Sequence, residues 1–362
     1  MALLIGLMSG TSMDGIDAAL VDTETHTLVH GITCAYSETT QNFLNAVLSG
    51  EQLKLQSLNQ LNTLIGREFS SAVRELLKTT GIQAGAIKAI GSHGQTIGHD
   101  PSDAIPYTIQ LGCPHTIATH TGITVVADFR TRDVVLGGQG APFAPLYHQT
   151  LFEKFNEPIA VVNIGGVANV SFVVPGKNVC GYDTGPGNGL LDAQARIHLH
   201  QPYDANGAWA AGGQVIKPLL EDLLSDPYFR LPAPKSLDKS YFSIPWLTPK
   251  LRPEFAPQDI QATLVALTAV SICDAIKRFE IPVLRTAVCG GGVHNQELLN
   301  AMRIEMPDLQ IASTKAFGFD PDFLEAMMFA WLADKTLQHV PVDLTRITGA
   351  SRPSTLGAIY WP

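Results

Sequence analysis

The chain has 362 residues, 45% of them hydrophobic and 16% charged, with a formal net charge of -9. That length and apolar content suit two hydrophobic cores better than one, and an acidic balance with no long run of Lys and Arg argues against nucleic-acid or anionic-lipid partners. Five cysteines (Cys34, Cys113, Cys180, Cys273 and Cys289) stand singly with no C-x-x-C pair, which excludes a disulfide framework or zinc site and reads as reduced thiols.

Residues 2–8 are apolar but lack a basic n-region, and Ser9-Gly10-Thr11-Ser12 interrupts them, so a buried first strand is expected rather than a signal peptide. No later stretch matches the roughly 20 apolar residues of a membrane helix; even 262–276 is broken by Thr268 and Ser271. A cytoplasmic protein without a membrane partner is the expectation. Strands are predicted at 3–8, 16–22 and 28–35, separated first by the turn 9–15, which makes an antiparallel meander. Helices follow at 41–48 and 55–79, the second with Leu58, Leu61, Leu64, Ile65, Phe69, Val73, Leu76 and Leu77 at helical spacing. Short strands at 87–92, 108–111 and 124–127 alternate with a helix at 114–121, giving an α/β composition with a mixed sheet.

A second block is expected after Arg130. Gly137-Gly138-Gln139-Gly140-Ala141-Pro142 leads into a helix at 144–155, and strands 159–164 and 169–174 then repeat the strand, glycine turn, strand order of the N-terminus. Residues 226–257, rich in Pro and aromatic side chains, read as an insertion or lid. A helix at 258–279, a strand at 286–289, a helix at 295–306, a strand at 310–312 and a helix at 321–338 complete the reading.

Three constellations carry candidate chemistry. Met8-Ser9-Gly10-Thr11-Ser12-Met13-Asp14-Gly15-Ile16-Asp17 is a tight turn with glycines for close backbone approach, hydroxyl donors, and two carboxylates, Asp14 and Asp17, able to hold hydrated Mg²⁺. An ordinary solvated Gly-Asp turn is the plainer reading. Asn163-Ile164-Gly165-Gly166, followed by Asp183-Thr184-Gly185-Pro186-Gly187-Asn188, aims a carboxylate at the start of a helix expected at 189–200, where it serves either as a general base or as the helix N-cap. Gly290-Gly291-Gly292-Val293-His294-Asn295 ends a strand and opens a helix, clearing side chains from a surface that suits adenine or a diphosphate, unless it is simply a flexible turn. No G-x-x-x-x-G-K-[ST] run or protein-kinase catalytic loop occurs.

Two strand-turn-strand loops and a distal glycine-rich junction, in this order, resemble the actin-like superfamily of sugar kinases, acetate kinase, actin and heat-shock chaperones. Within it, the first turn, Ser92-His93-Gly94-Gln95-Thr96, Asp128-Phe129-Arg130, the 137–142 run, the Asn163 and Asp183 segments, the Gly290 segment and Leu356-Gly357-Ala358-Ile359 are similar to the anhydro-N-acetylmuramic acid kinase family across essentially the whole chain. The resemblance implies a two-domain actin-like ATPase (ribonuclease H-like) fold with mixed central sheets flanked by helices and an interdomain active-site cleft. The expected domains are 1–130, joined by the tail 340–362, and 131–339, which carries the catalytic Asp and the adenosine-binding segment.

It also implies an ATP- and Mg²⁺-dependent kinase of cell-wall recycling. Such an enzyme opens the 1,6-anhydro bond of anhydro-N-acetylmuramic acid with water and phosphorylates O6, giving N-acetylmuramic acid 6-phosphate. Asp183 would take the proton of the attacking water. Gly10, Thr11, Ser12, Met13, Asp14, Gly15, Ile16, Asp17, Asn163, Gly165, Gly166, Gly290, Gly291, Gly292 and Asn295 would contact the nucleotide. His93, Arg130, Gly185, Asn188 and Glu325 would contact the sugar. The bland alternatives are a loop-satisfying His93, an Arg130 paired with Asp128 or Asp133, and a Glu325 placed by the helix dipole. The family suggests a homodimer. A kinase of this fold on another sugar or acid, or a nucleotide-switch ATPase, remain the competing readings.

Overall fold

The computed structural model describes residues 2–10, 15–48, 54–233, 235–237 and 241–362. Thr11, Ser12, Met13 and Asp14 of the predicted phosphate turn lie outside the described residues. The chain divides into two compact units: Met1–Ala144 together with Phe323–Pro362, and Pro145–Asp322.

Unit 1 opens on the expected meander, β1 (Leu3–Ser9), β2 (Ile16–Asp22) and β3 (Thr27–Cys34), paired antiparallel with Leu3 opposite Asp22 and Ile16 opposite Cys34. Helices α1 (Glu38–Leu48) and α2 (Leu55–Thr80) follow. Leu61, Ile65, Phe69, Val73 and Leu76 lie one turn apart on α2, and all are buried in one core with Ile5, Leu7 and Leu20. Gly81, at φ 71°, closes α2 in the left-handed conformation that glycine adopts without strain. Next come β4 (Ala89–Asp100), β5 (Tyr107–Leu111), α3 (Pro114–Thr121), β6 (Val125–Ala127) and α4 (Thr131–Val135). β4 runs parallel to β1 and to β6, while β5 folds back on it. It is longer than the predicted 87–92, so the Ser92–Thr96 motif is strand and not loop.

Unit 2 contains α5 (Ala144–Phe152), β7 (Ile159–Ile164), β8 (Val167–Val173), β9 (Cys180–Pro186) and α6 (Asn188–Leu199). The short helices α7 (Ala208–Ala211), α8 (Lys217–Leu224) and α9 (Ile244–Leu247) lead to α10 (Pro257–Lys277), β10 (Arg285–Cys289), α11 (Gln296–Glu305) and β11 (Gln310–Ser313). Its sheet has the order β11-β10-β7-β8-β9, with β7 to β9 antiparallel and β10 and β11 parallel to β7. Among the described residues α10 is the one helix long and apolar enough to cross a membrane, and it is instead the buried centre of this unit, with Leu264, Leu267, Ala269, Ile272 and Cys273 sealed from solvent.

The chain then returns to unit 1 as α12 (Leu324–Leu337) and β12 (Ala358–Tyr360), which pairs with β6 to complete the order β12-β6-β4-β1-β2-β3. Nearly every side chain of α12 is buried, and the helix lies directly on β1 and β4. A Cβ on Gly6 would stand 1.7 Å from the carbonyl oxygen of Ala326, and one on Gly91 2.0 Å from that of Phe329. Two glycines therefore let a helix approach a sheet face to face. This packing corrects the predicted boundaries: the division falls at Ala144 rather than Arg130, and the helix assigned to the second domain belongs to the first.

Candidate active site

The ends of the predicted phosphate turn are tied by a buried polar pair. The Ser9 hydroxyl lies 2.8 Å from the Gly15 carbonyl and 2.7 Å from Gln95 Oε1, and Gln95 Nε2 donates to the Gly10 carbonyl at 3.1 Å. Both side chains are sealed from solvent, so each of these bonds replaces one to water that burial removed. Gln95 reaches Ser9 because β4 bulges: Leu7 pairs with Ser92 but Ser9 pairs with Gln95, and Gly94 takes φ 80° at the extra residue. Of the predicted contacts here, Gly15 is buried against the Cys34 carbonyl and Ile16 is a core side chain, so they shape the turn from behind. Asp17 is half-buried on β2 and accepts from the Thr33 hydroxyl at 2.7 Å.

The same bulge places His93 beneath a second polar cluster. Arg130 Nε donates to His93 Nε2 at 3.0 Å, and Arg130 Nη1 donates to the Gly140 carbonyl at 2.9 Å. His93 is buried against the Phe329 ring, centroids 4.7 Å apart, and burial followed by the Arg130 charge holds its pKa well below the usual range. A neutral imidazole accepting at Nε2 carries its proton on Nδ1. Burial draws Arg130 down to about 10, against the carboxylates of Glu325 and Asp133, so it stays cationic at neutral pH. Glu325, on the first turn of α12, keeps an exposed side chain, yet desolvation pushes its carboxyl up; Arg130 draws it back and Asp17 adds to the rise. Asp128, at φ 60°, accepts from the Thr131 amide, and Asp133 accepts from the Gly140 amide and the Thr348 hydroxyl. Arg130 thus hydrogen-bonds to His93 and Gly140 rather than to Asp128 or Asp133. The structure brings the predicted Arg130, His93 and Glu325 together in unit 1, within the fields of Asp17 and Asp133.

In unit 2 the glycine segments converge at the ends of β7 and β10, because Cys289 pairs with Asn163 and places Gly290 beside Ile164. Gly290 has φ 75°, and a Cβ there would stand 2.3 Å from Asn163 Oδ1; one on Gly292 would strike the Ile164 side chain at 2.3 Å. By contrast a Cβ on Gly166 would meet nothing within 4 Å, one on Gly165 only the Val167 carbonyl at 3.7 Å, and one on Gly291 only the Asn188 amide at 3.6 Å. Bare backbone facing open space is what a phosphate chain or flat base needs to lie close. Two expectations are corrected. The Gly290 run reaches the expected helix only through a 3₁₀ turn, Gly291–His294, and Asn295, a predicted nucleotide contact, is the N-cap of α11, its Oδ1 accepting from the Leu298 amide at 3.0 Å. The start of α6 is no anion site either, since the Gly187, Asn188 and Gly189 amides donate to the carbonyls of Gly165 and Gly166. Asn188 Nδ2 donates to the Ile164 carbonyl, and a Cβ on Gly185 would strike Phe229 and Ser271 at 2.9 Å, so both predicted sugar contacts knit this unit internally.

Asp183 lies within β9 and not at its end, four residues before the N-cap Gly187, which removes the capping reading. A bulge opposite Ala168 and Asn169 leaves Thr184 as the extra residue beside it. The half-buried carboxyl has its pKa raised to about 6 by burial, against the Leu237 amide, which donates to Oδ2 at 2.8 Å, and the Lys235 charge. The insertion predicted at 226–257 therefore packs on this carboxylate. Sequence reasoning missed that role for Tyr228, Lys235 and Leu237, and missed the roles of Ser9 and Gln95, for which the signal was their place inside quoted motifs. Among the described residues no group of three or more His, Cys, Asp and Glu is placed to hold a metal ion.

Comparison with known proteins identifies the family of the chain. The anhydro-N-acetylmuramic acid kinase family model matches residues 2–362. An anhydro-N-acetylmuramic acid kinase of Legionella pneumophila (strain Corby) is 54% identical over 360 residues, 99% of this chain and 98% of that protein. One from Coxiella burnetii (strain Dugway 5J108-111) is 45% identical over 362 residues, 99% and 97% respectively. Component A of the (R)-2-hydroxyglutaryl-CoA dehydratase of Acidaminococcus fermentans superposes with a TM-score of 0.50 at 12% identity, covering 91% of this chain and 97% of that one, a likeness of fold alone. The fold is thus the mixed α/β, two-sheet fold of the actin-like ATPases and sugar kinases. With a match along its whole length and two relatives well above the identity at which families diverge, the chain belongs to the anhydro-N-acetylmuramic acid kinase family.

Proposed function

We propose that the protein is an ATP-dependent kinase that opens the 1,6-anhydro bond of 1,6-anhydro-N-acetylmuramic acid with water and phosphorylates the released O6, a step of cell-wall recycling in the cytoplasm. The observation that carries this reading is Asp183, a carboxyl held by main-chain contacts and tuned to about 6, so that it is ionised yet basic near neutral pH. In the proposed reaction Asp183 takes a proton from water as the water oxygen bonds to C1, the C1–O6 bond breaks, and O6 takes the γ-phosphoryl group of ATP, leaving ADP. One carboxylate activating water at the anomeric carbon is the logic of an inverting glycosidase. Phosphoryl transfer itself needs positioning and charge neutralisation more than covalent help.

Gly165, Gly166 and Gly291 are the residues with room for the nucleotide. Magnesium, which binds through one or two carboxylates plus phosphate oxygens, would supply charge neutralisation at the transferring group; Asp17 is the described carboxylate that would hold it, with Asp14 three positions before it in the sequence. Arg130 would meet the lactyl carboxylate, His93 would keep the guanidinium in place, and Glu325 would accept from sugar hydroxyls. The test is mass spectrometry of the product formed in ¹⁸O-water from the anhydro sugar and Mg-ATP. A 6-phosphorylated sugar with the label at C1, lost in Asp183→Asn, is expected. ATP binding without any phosphorylated sugar would move the reading to another acceptor or to a nucleotide switch.

A further inference from the structure

β9 is an edge strand: β8 covers one side of its backbone, and among the described residues the other side has no strand partner. At Asp183 that open side is covered by the segment that follows α8. The Asp183 amide donates to the Lys235 carbonyl at 3.1 Å, its carbonyl accepts from the Tyr228 hydroxyl at 2.7 Å, and its carboxylate accepts from the Leu237 amide. All three polar parts of one residue are thus held from residues 228–237. Tyr228 is itself anchored, 3% exposed, with its amide on Asp226 Oδ1 at 2.9 Å and its ring against Phe229, Tyr241 and Phe242. Asp226 also accepts from Trp246 Nε1 at 2.8 Å and the Tyr241 hydroxyl at 3.0 Å. Lys235 joins the two ends: its ammonium lies 4.3 Å over the Tyr228 ring and donates to the Tyr228 carbonyl at 3.1 Å.

We infer that Tyr228 and Lys235 are positioning residues for Asp183, Tyr228 by fixing the strand that carries it and Lys235 by setting the charge beside it. The inference rests on Asp183 being the base. A base 1 Å out of place loses much of its rate, and an edge strand without a partner is where such drift is easiest. Among the described residues few charged or polar groups stand around Asp183. Lys235 and Tyr228 face it from this segment, Asn169 lies opposite on β8, and on the α10 side Arg278 donates to the Phe229 carbonyl and pairs with Asp274 beyond Tyr182. Among the described residues Lys235 is the cation that acts on the Asp183 carboxyl, and it favours the ionised form.

The experiment is steady-state kinetics of the full chain from pH 5 to pH 9 for Tyr228→Phe, Lys235→Met and Lys235→Arg, with Asp183→Asn as reference. Tyr228→Phe keeps the ring and the cation above it, and loses only the hydroxyl; kcat is expected to fall about fivefold or more with KM for both substrates within about twofold. Lys235→Met is expected to move the acidic limb of the kcat profile to higher pH by about half a unit or more, and Lys235→Arg to restore it. Wild-type kcat and an unmoved limb in these variants, with Asp183→Asn inactive, would reduce Tyr228 and Lys235 to packing residues. An active Asp183→Asn would remove the base assignment itself, on a separate arm of the same experiment. Should Tyr228→Phe fail to melt cooperatively, the limb of Lys235→Met decides alone.

Discussion

As the proposed base, Asp183 would serve catalysis while it opposes stability. Its folded pKa, near 6, lies above the ordinary 3.8, so the fold favours its protonated form. The stabilising contribution is therefore full below the unfolded value and is lost as pH rises through about 6. The ionised form that the proposed reaction uses accumulates over that same range. kcat/KM is expected to fall about tenfold per unit below the limb near 6 and to level off above it, read from a pH profile at low substrate. Asp183→Asn should be inactive yet melt higher than the parent at pH 7.5, by about 1–2 kcal/mol, with the gain vanishing near pH 4. His148 has the opposite sign. It is buried, faces the Ser171 hydroxyl at 2.9 Å, and burial pushes it down to about 3, so its contribution is present above the ordinary His value and is lost as pH falls toward about 3. His148→Asn, which can keep the Ser171 contact, should flatten the acid side of the stability profile measured by urea unfolding between pH 3 and pH 7.

Turns and helix–sheet contacts separate glycines that make room from glycines that prevent collisions. Gly166 faces open space at the β7–β8 turn, whereas Gly290 has φ 75° and lies over Asn163. Gly166→Ala is expected to leave the melting temperature unchanged and to weaken ATP binding several-fold by calorimetry, because a methyl group would occupy the proposed nucleotide floor. Gly290→Ala should lower stability by about 1–3 kcal/mol, since neither the dihedral nor the space suits a side chain. The contact of α12 with β1 and β4 is stricter. Gly91→Ala puts a methyl group against helix backbone that cannot rotate away. A loss of about 3 kcal/mol or more, or insoluble protein, is expected, and activity should fall with it because α12 also carries Glu325 and the Phe329 ring under His93.

At the scale of the whole molecule the two units are built differently along the chain. Unit 2 is one uninterrupted segment, Pro145–Asp322, with its own sheet and its own core running from Ala160 to Ile311. Unit 1 is two segments, and without Phe323–Pro362 its sheet lacks an edge strand and the helix that lies on β1 and β4. Expressed alone, residues 145–322 are expected to unfold cooperatively in urea, while residues 1–144 should be aggregated or molten by near-UV circular dichroism until 323–362 is restored.

Local pattern determined a good deal of this protein. The 3.6-residue spacing of Leu61, Ile65, Phe69 and Val73 specified α2, and the apolar strands separated by glycine turns specified both meanders, because these signals depend on neighbours a few residues apart. Motif wording carried the family, and it named Asp183, Arg130, His93 and Glu325 as candidates. The tertiary structure alone decided the rest. That α12 belongs with β1 and β4 depends on Gly6 and Gly91, more than 200 residues away in the chain, and glycine in a strand reads as a weakness until the helix above it is seen. Gln95 reads as one more polar residue until a bulge at Gly94 carries it to Ser9. The hold of Tyr228, Lys235 and Leu237 on Asp183 spans some 50 residues and is made largely by main-chain atoms, which every sequence possesses and none can advertise.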